Sequence, residues 1–337
     1  MTTAGMGTTL GGRSMRLPFG PETLQALATL KPWRCAAQIL TQWLVCVLAI
    51  AVAERLKQWP VTVAAMLVIA TRQHAMLVLM HDAAHCLLAR KRWFNDTVGN
   101  LLLAFPLTLS VARYRAHHFR HHRYLNGEGD PDLADSVIPA TRGRFLALLL
   151  RDASGLTTIA TLRSANSFGM LGLFSKKAPG SRLDRGLAVA FIAAVAALVA
   201  GFGVWREFIL YWLLPILLFM PAILRVRGIA EHGGRLGNPV ATAARSLRVG
   251  WIERFLWAPC HINRHWEHHS CPAVPSYNLP QLSRLLAAGD AQCAAANPTQ
   301  GYFIGPRSLI HELYPAARPE PAHATAPEKG MHGPHGK

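Results

Sequence analysis

The chain has 337 residues, of which 51% are hydrophobic and only 16% charged, a balance that argues against a soluble enzyme and for a membrane protein. Its 35 Lys and Arg against 18 Asp and Glu give a net charge of +17. These cations stand beside apolar segments and form no long run, which suits anionic lipid headgroups better than nucleic acid. Six cysteines (Cys35, Cys46, Cys86, Cys260, Cys271 and Cys293) form no C-x-x-C pair, so reduced thiols are expected rather than a disulfide framework.

Residues 1–34 are polar and basic, with Arg13, Arg16, Lys31 and Arg34 against Glu22, and read as a cytoplasmic lead-in. No charge interrupts 35–53, enough for a first membrane span, and no small-residue cleavage site follows it. A short polar turn leads to a second span over 61–80. This span carries Arg72, which should face the bundle interior, and His74, which reads as a hydrogen-bonded core histidine. Residues 97–112 contain Asn100, Pro106 and Ser110 and are short for a crossing, so a re-entrant or interfacial segment is expected. Residues 133–185 mix apolar patches with Arg and Lys, the pattern of amphipathic helices lying on a leaflet. Third and fourth spans fall at 186–204 and 208–224, separated by a tight turn at Arg206-Glu207. The chain is polar after 225, and from about 316 it is rich in Pro, Ala, Gly and His. That division gives a lead-in (1–34), a membrane domain (35–315) and a disordered tail (316–337), with His323, His332 and His335 solvated in the tail.

Three histidine clusters interrupt this plan: His81-Asp-Ala-Ala-His85, His118-Phe-Arg-His121-His122 and His265-Trp-Glu-His268-His269. On a helix, i and i+4, or i, i+3 and i+4, place the imidazoles of each cluster on one face. Neutral imidazole is the commonest protein metal ligand, and eight rings are too many for one tetrahedral zinc site. They suit two adjacent metals. Four crossings put all three clusters on one side of the membrane, and the excess of Lys and Arg makes that side cytoplasmic. Were 97–112 to cross as well, the first cluster would be divided from the second by a bilayer.

In order and spacing, HDxxH, HxxHH and HxxHH resemble the three histidine boxes of the membrane fatty acid desaturase and hydroxylase superfamily. The flanking text is similar too: Tyr114-Arg115 before the second box, Asp130-Pro131-Asp132 after it, and Pro272 to Pro280 after the third. The likeness covers roughly residues 35 to 286. It implies an all-α integral membrane protein with about four transmembrane helices and a cytoplasmic helical cap holding two irons. The ligands implied are His81, His85, His118, His121, His122, His265, His268 and His269, with His232 as the ninth. Some members of the superfamily carry an Asn four residues before this last histidine; here that position is Gly228. Asn263 matches a common family Asn and is expected among the residues that support the ligands, while His261 reads as structural. Asp82, Asp130, Asp132, Glu231 and Glu267 are expected to accept N–H bonds from ligand rings and fix their tautomers.

The resemblance further implies an O2-dependent oxidoreductase that draws two electrons from a separate donor (a ferredoxin, cytochrome b5 or reductase) and removes hydrogen from an unactivated C–H bond of a hydrophobic acyl chain. Desaturation of a lipid-, CoA- or carrier-linked acyl chain is the leading expectation. Hydroxylation or ketolation of a carotenoid, alkane or specialised metabolite is the alternative. A metal transporter would line its spans with histidine, whereas these lie at span ends, and His-Glu-x-x-His of a zinc protease is absent from the spans. Dense Ala and Arg usage points to a bacterial cytoplasmic membrane.

Overall fold

The computed structural model describes residues 7–10, 13–175, 177–234, 243–289 and 299–315. The segment from 316 onward, with the three tail histidines, lies outside the described residues, as does Cys293. The N-terminal stretch forms an antiparallel hairpin (β1, Gly7–Leu10; β2, Arg13–Arg16) and a short helix α1 (Pro21–Leu27). Leu17 and Leu27 then bury against Trp266, Leu279, Leu282 and Leu286, so this basic stretch is part of the cap that carries the third histidine cluster.

Four helices are long and apolar enough to cross a membrane: α2 (Pro32–Leu56), α3 (Trp59–Ala84), α8 (Arg182–Phe202) and α9 (Trp205–His232). Pro32 and Pro60 sit in the first turns of α2 and α3, where a missing N–H costs nothing. A left-handed residue, Lys57, ends α2 and turns the chain straight into α3. α2 and α8 expose rows of Leu, Val and Ile, as lipid-facing helices should, whereas α3 is buried on every side from Ile69 to Ala84. The cysteines of the described residues are all free.

Segment 97–112 is not among the four helices long and apolar enough to cross. It continues α4 (Arg92–Gly99) through a π turn (Asn100–Ala104) and a 3-10 turn (Phe105–Leu107). Irregular backbone at membrane depth needs internal partners. Two stacked indoles supply them: Trp43 and Trp212, with ring centroids 5.2 Å apart, donate to the carbonyls of Leu102 (3.1 Å) and Pro106 (2.8 Å). Asn100 accepts from the Val111 N–H at 3.0 Å and thereby sets the start of α5 (Val111–Tyr124).

α6 (Arg142–Ala153) and α7 (Thr158–Ala165) are the helices expected over this stretch, and they expose Leu146, Leu150, Ile159 and Leu162. α8 opens on a capping box: Ser181 Oγ accepts from the Asp184 N–H (3.1 Å), and the Asp184 carboxylate accepts from the Ser181 N–H (2.6 Å). α9 is wound as π-helix over Ile209–Leu213 and Pro215–Phe219. The Leu217 carbonyl, four residues ahead of Pro221, accepts from Thr158 Oγ1 at 2.5 Å and so ties α7 to α9. The cap is completed by β3 (Leu247–Arg248), α10 (Trp251–Leu256), α11 (His265–Ser270), α12 (Leu279–Gly289), β4 (Thr299–Gln300, parallel to β3) and α13 (Leu309–Leu313).

Candidate metal centre

Four helix segments bring the histidines together. α3 delivers His81 in its last turn and His85 immediately after its end. α5 carries His118, His121 and His122, α9 ends on His232, and α11 holds His265, His268 and His269. Two arginines fix the helix ends. Arg115 donates to the carbonyls of Ala83 (3.1 Å), which also accepts from the Cys86 N–H, and Ala84 (2.6 Å), and to Asp96 (2.5 Å). Arg245, fully buried, does the same for α9, donating to the carbonyls of Ile229, Ala230 and Gly233 at 2.8–3.1 Å.

The nine rings fall into two sets whose ligand atoms lie within 4.8 Å of one another: His81, His85, His118, His122 and His268; and His121, His232, His265 and His269. Within the first set, Nε2 of His268 stands 3.0 Å from that of His81 and 3.1 Å from that of His122, which is 2.9 Å from His118 Nε2. Within the second, His265 Nε2 stands 2.9 Å from His232 Nε2 and 3.0 Å from His269 Nε2. A neutral imidazole has one N–H. His121 Nδ1 faces the Asp130 carboxylate (2.9 Å), and His232 Nδ1 faces the Ala243 carbonyl (3.1 Å); both acceptors require the proton on Nδ1 and leave Nε2 as a bare lone pair. Converging lone pairs with too few protons between them call for a cation at each focus. Bonds of about 2.1 Å at right angles would set ligand nitrogens about 3 Å apart. The residues present therefore fit two metal ions of the kind that imidazole favours, iron among them.

Electrostatics keep the rings in the required form. Burial, reinforced by neighbouring histidines, holds His118, His122, His265, His268 and His269 well below the ordinary imidazole range. Burial and then Arg115 push His85 down to about 4. His121 is the exception. Burial pulls it down but is overcome by the Asp130 hydrogen bond and by Asp132, so it is raised. Neutral imidazoles are ready to bind metal without first releasing protons.

The expected supporting residues divide. Asp130 grips His121, and the Asn126 and Asp132 N–H groups hold it in turn at 2.8 and 2.9 Å. Asp132 is 3.7 Å from His121 and spends its close contact on His117 (2.6 Å), whose other nitrogen meets Ser167 Oγ at 3.1 Å. Asp82 lies 3.5 Å from His81 Nδ1. Glu231 lies 3.6 Å from His265 Nδ1 and accepts from Arg227 at 2.7 Å. Two expectations are corrected. Glu267 meets no histidine ring; it accepts from Ser246 Oγ (2.9 Å), with Arg264 at 3.5 Å, and so braces the start of α11. Asn263 donates to the Leu247 carbonyl (2.7 Å) and ties that same start to β3. Glu267 misses the site because α11 turns its His265, His268 and His269 face inward.

His74 differs from expectation: it is fully buried, lies in neither set, and has no hydrogen-bond partner among the described residues on either ring nitrogen. Arg72 faces the interior, as expected, and works structurally, donating to Gln42 (3.2 Å) and to the Phe255 carbonyl. His261 stands outside both sets. Reading by box spacing undervalued His117, whose signal was its adjacency to His118, and Arg227, whose signal was its place four residues before Glu231 on one helix.

A cavity of about 290 Å³ opens on His118, His121, His232 and His265. Leu77, Leu107, Leu109, Leu162, Phe168, Ile216, Met220 and Leu224 line its apolar wall, and Tyr114, Asp132, Asp135, Arg227 and Glu231 line its polar one. Its size is at the small end of ligand cavities, about 300–1,000 Å³.

The fold and this site define a histidine-rich membrane oxidoreductase. The chain belongs to the fatty acid desaturase family, whose model matches residues 57–303. It is 27% identical over 267 residues to the dihydrorhizobitoxine desaturase of Bradyrhizobium elkanii, covering 74% of this chain and 75% of that one. It is 28% identical over 238 residues to the sn-1 oleoyl-lipid 12-desaturase of Synechocystis, covering 60% of this chain and 61% of that one. It is 26% identical over 221 residues to a beta-carotene ketolase of Haematococcus lacustris, covering 64% of this chain and 59% of that one.

Proposed function

We propose that the chain is an O2-dependent desaturase that introduces a double bond into a hydrophobic acyl substrate at a centre of two irons held by the nine histidines. The observation that carries this reading is the position of both histidine sets at the wall of a single cavity that reaches between membrane helices. Bound there, two irons would supply activation of O2 with electrons from a separate redox protein. The chain's own residues do the rest. Asp130 keeps the proton of His121 on Nδ1, and the Ala243 carbonyl keeps that of His232 there, so that Nε2 stays free for metal. The apolar wall orients an alkyl chain and excludes water. We place the histidine side in the cytoplasm of a bacterium, following the surplus of Lys and Arg there.

A second reading has support from the same cavity. Tyr114, Asp132, Asp135, Arg227 and Glu231 stand close to the histidines, where a plain methylene chain has no use for charge. They suit a substrate with a polar group near the reacting carbon, such as a specialised metabolite. One of the relatives is a dihydrorhizobitoxine desaturase and another a ketolase, so neither outcome is foreign to the family.

The test is expression in a bacterial host with acyl-chain profiling by gas chromatography–mass spectrometry, using His118→Ala as the control and counting iron in both purified proteins. A new double bond in the wild type alone supports the desaturase. A new hydroxyl or keto product moves the assignment to the second chemistry. Equal iron in wild type and control removes the metal-centre reading.

A further inference from the structure

A second recess lies on the cap, sharing no wall residue with the active-site cavity. Its volume is about 690 Å³, and Arg248, Arg254, Arg264, Arg284 and His261 line it. Arg264 is faced by Glu267 at 3.5 Å, while no ion pair among the described residues engages Arg248, Arg254 or Arg284, all three of which are exposed. Burial, and then Arg254 and Arg264, push His261 down to about 4.

The neighbouring helix α10 locates this recess relative to the bilayer. Arg72 of α3 stacks its guanidinium 4.0 Å from the Phe255 ring centroid and donates to the Phe255 carbonyl. Arg72 lies thirteen residues beyond Trp59, the outer start of α3, which is about 20 Å along the helix. It bonds Gln42, ten residues into α2 from Pro32 at the cap end, or about 15 Å. Both rulers place Arg72 inside a hydrocarbon layer about 30 Å thick. An arginine side chain reaching toward the cap then brings α10 to the boundary between acyl chains and headgroups. At that level α10 turns Trp251 (79% exposed) and Ile252 (47% exposed) outward. Trp with Ile on one side and Arg on the other is the composition of an interfacial anchor.

We infer that α10 sinks Trp251 and Ile252 into the cap-side leaflet and that the recess beside it binds the phosphate headgroup of an anionic phospholipid through Arg248, Arg254 and Arg284. Guanidinium is the side chain best shaped to hold phosphate oxygens in pairs. Charge alone would equally suit an acidic redox protein. The depth of α10 decides for lipid, because Arg72 draws it to the headgroup boundary, where Trp251 and Ile252 have acyl chains to bury against.

The experiment uses the full chain in nanodiscs of equal parts phosphatidylglycerol and phosphatidylethanolamine, with retained lipid counted by native mass spectrometry. The wild type should keep a phosphatidylglycerol that the R248Q/R254Q/R284Q variant holds roughly tenfold or more weakly. Dibrominated phosphatidylglycerol should quench the tryptophan fluorescence of the wild type more than that of Trp251→Phe. If the triple variant fails to fold, Arg254→Gln and Arg284→Gln are compared singly, each losing part of the retention. Equal retention by all variants overturns the assignment. So does quenching unaltered by Trp251→Phe, which would put α10 in water. Displacement of the retained lipid by millimolar inorganic phosphate would make the recess a soluble-anion site. Unchanged lipid retention with weakened oxidation of a reduced acidic ferredoxin would make it a protein dock.

Discussion

His121 points its Nδ1 at the Asp130 carboxylate, 2.9 Å away, and its Nε2 at that of His269, 3.3 Å away. One ring is thus held by a charge on one side and offered to the four-histidine set on the other. Asp130 is itself fixed by two backbone N–H groups, so it cannot swing to follow a displaced ring. Asp130→Asn keeps the shape and removes the charge. Metal affinity should fall about 10- to 100-fold, the usual cost of losing such a partner. Metal per chain, measured after dialysis against graded chelator, checks this; retention equal to wild type would show that Asp130 only shapes the turn.

The partition of the rings predicts how metal is lost. His232 belongs to the set of four and has no counterpart in the set of five. His232→Ala should leave three histidines at one focus and all five at the other. The variant should therefore retain about one metal per chain in place of two, whereas the His232→Ala/His85→Ala/His268→Ala protein, with three histidines left at each focus, should approach zero. Inductively coupled plasma mass spectrometry on purified protein reads the stoichiometry directly. Full loss on His232→Ala would mean that the two sets do not bind independently.

His74 invites the opposite kind of change. Both its ring nitrogens are buried without a partner among the described residues, and it stands outside either set. An unsatisfied buried polar group costs about 1–3 kcal/mol. His74→Leu keeps approximate volume and removes that cost, so the variant should melt higher in detergent and keep full metal content. A drop in metal would instead assign His74 to the centre. A lower midpoint with full metal would show that the ring's shape matters more than its polarity.

Much of this architecture is legible in the sequence, and the reason differs from part to part. Span α8 is legible because an uncharged run has few alternatives in lipid. The box histidines are legible because i, i+3, i+4 spacing needs no tertiary information. His117 was not, since only the fold reveals that Asp132 turns to it rather than to His121. Glu267 sits between two ligands in sequence, yet the helical rotation aims it at Ser246. Arg72 reads as an expensive intramembrane charge, and its partner, the Phe255 carbonyl, lies too far along the chain for any local pattern to suggest.

Gly228 stands where the backbone of a neighbouring turn leaves no room for a side chain. An added Cβ would stand 2.6 Å from the Asp135 carbonyl oxygen, and a backbone atom cannot yield as a side-chain tip does. Asp135 belongs to the turn Leu133–Ser136, which follows Asp130 and Asp132 directly. Pushing that turn would therefore disturb the grip on His121. In an unhindered helix, Gly→Ala gains about 1 kcal/mol. Here overpacking of about 1–3 kcal/mol opposes it. Gly228→Ala should thus be no more stable than wild type, and Gly228→Asn clearly less stable, both with weakened metal retention. Thermal midpoints and metal content of the two variants test this together. A Gly228→Asn protein that melts with the wild type and keeps all its metal would show that the turn yields freely and that the close approach constrains nothing.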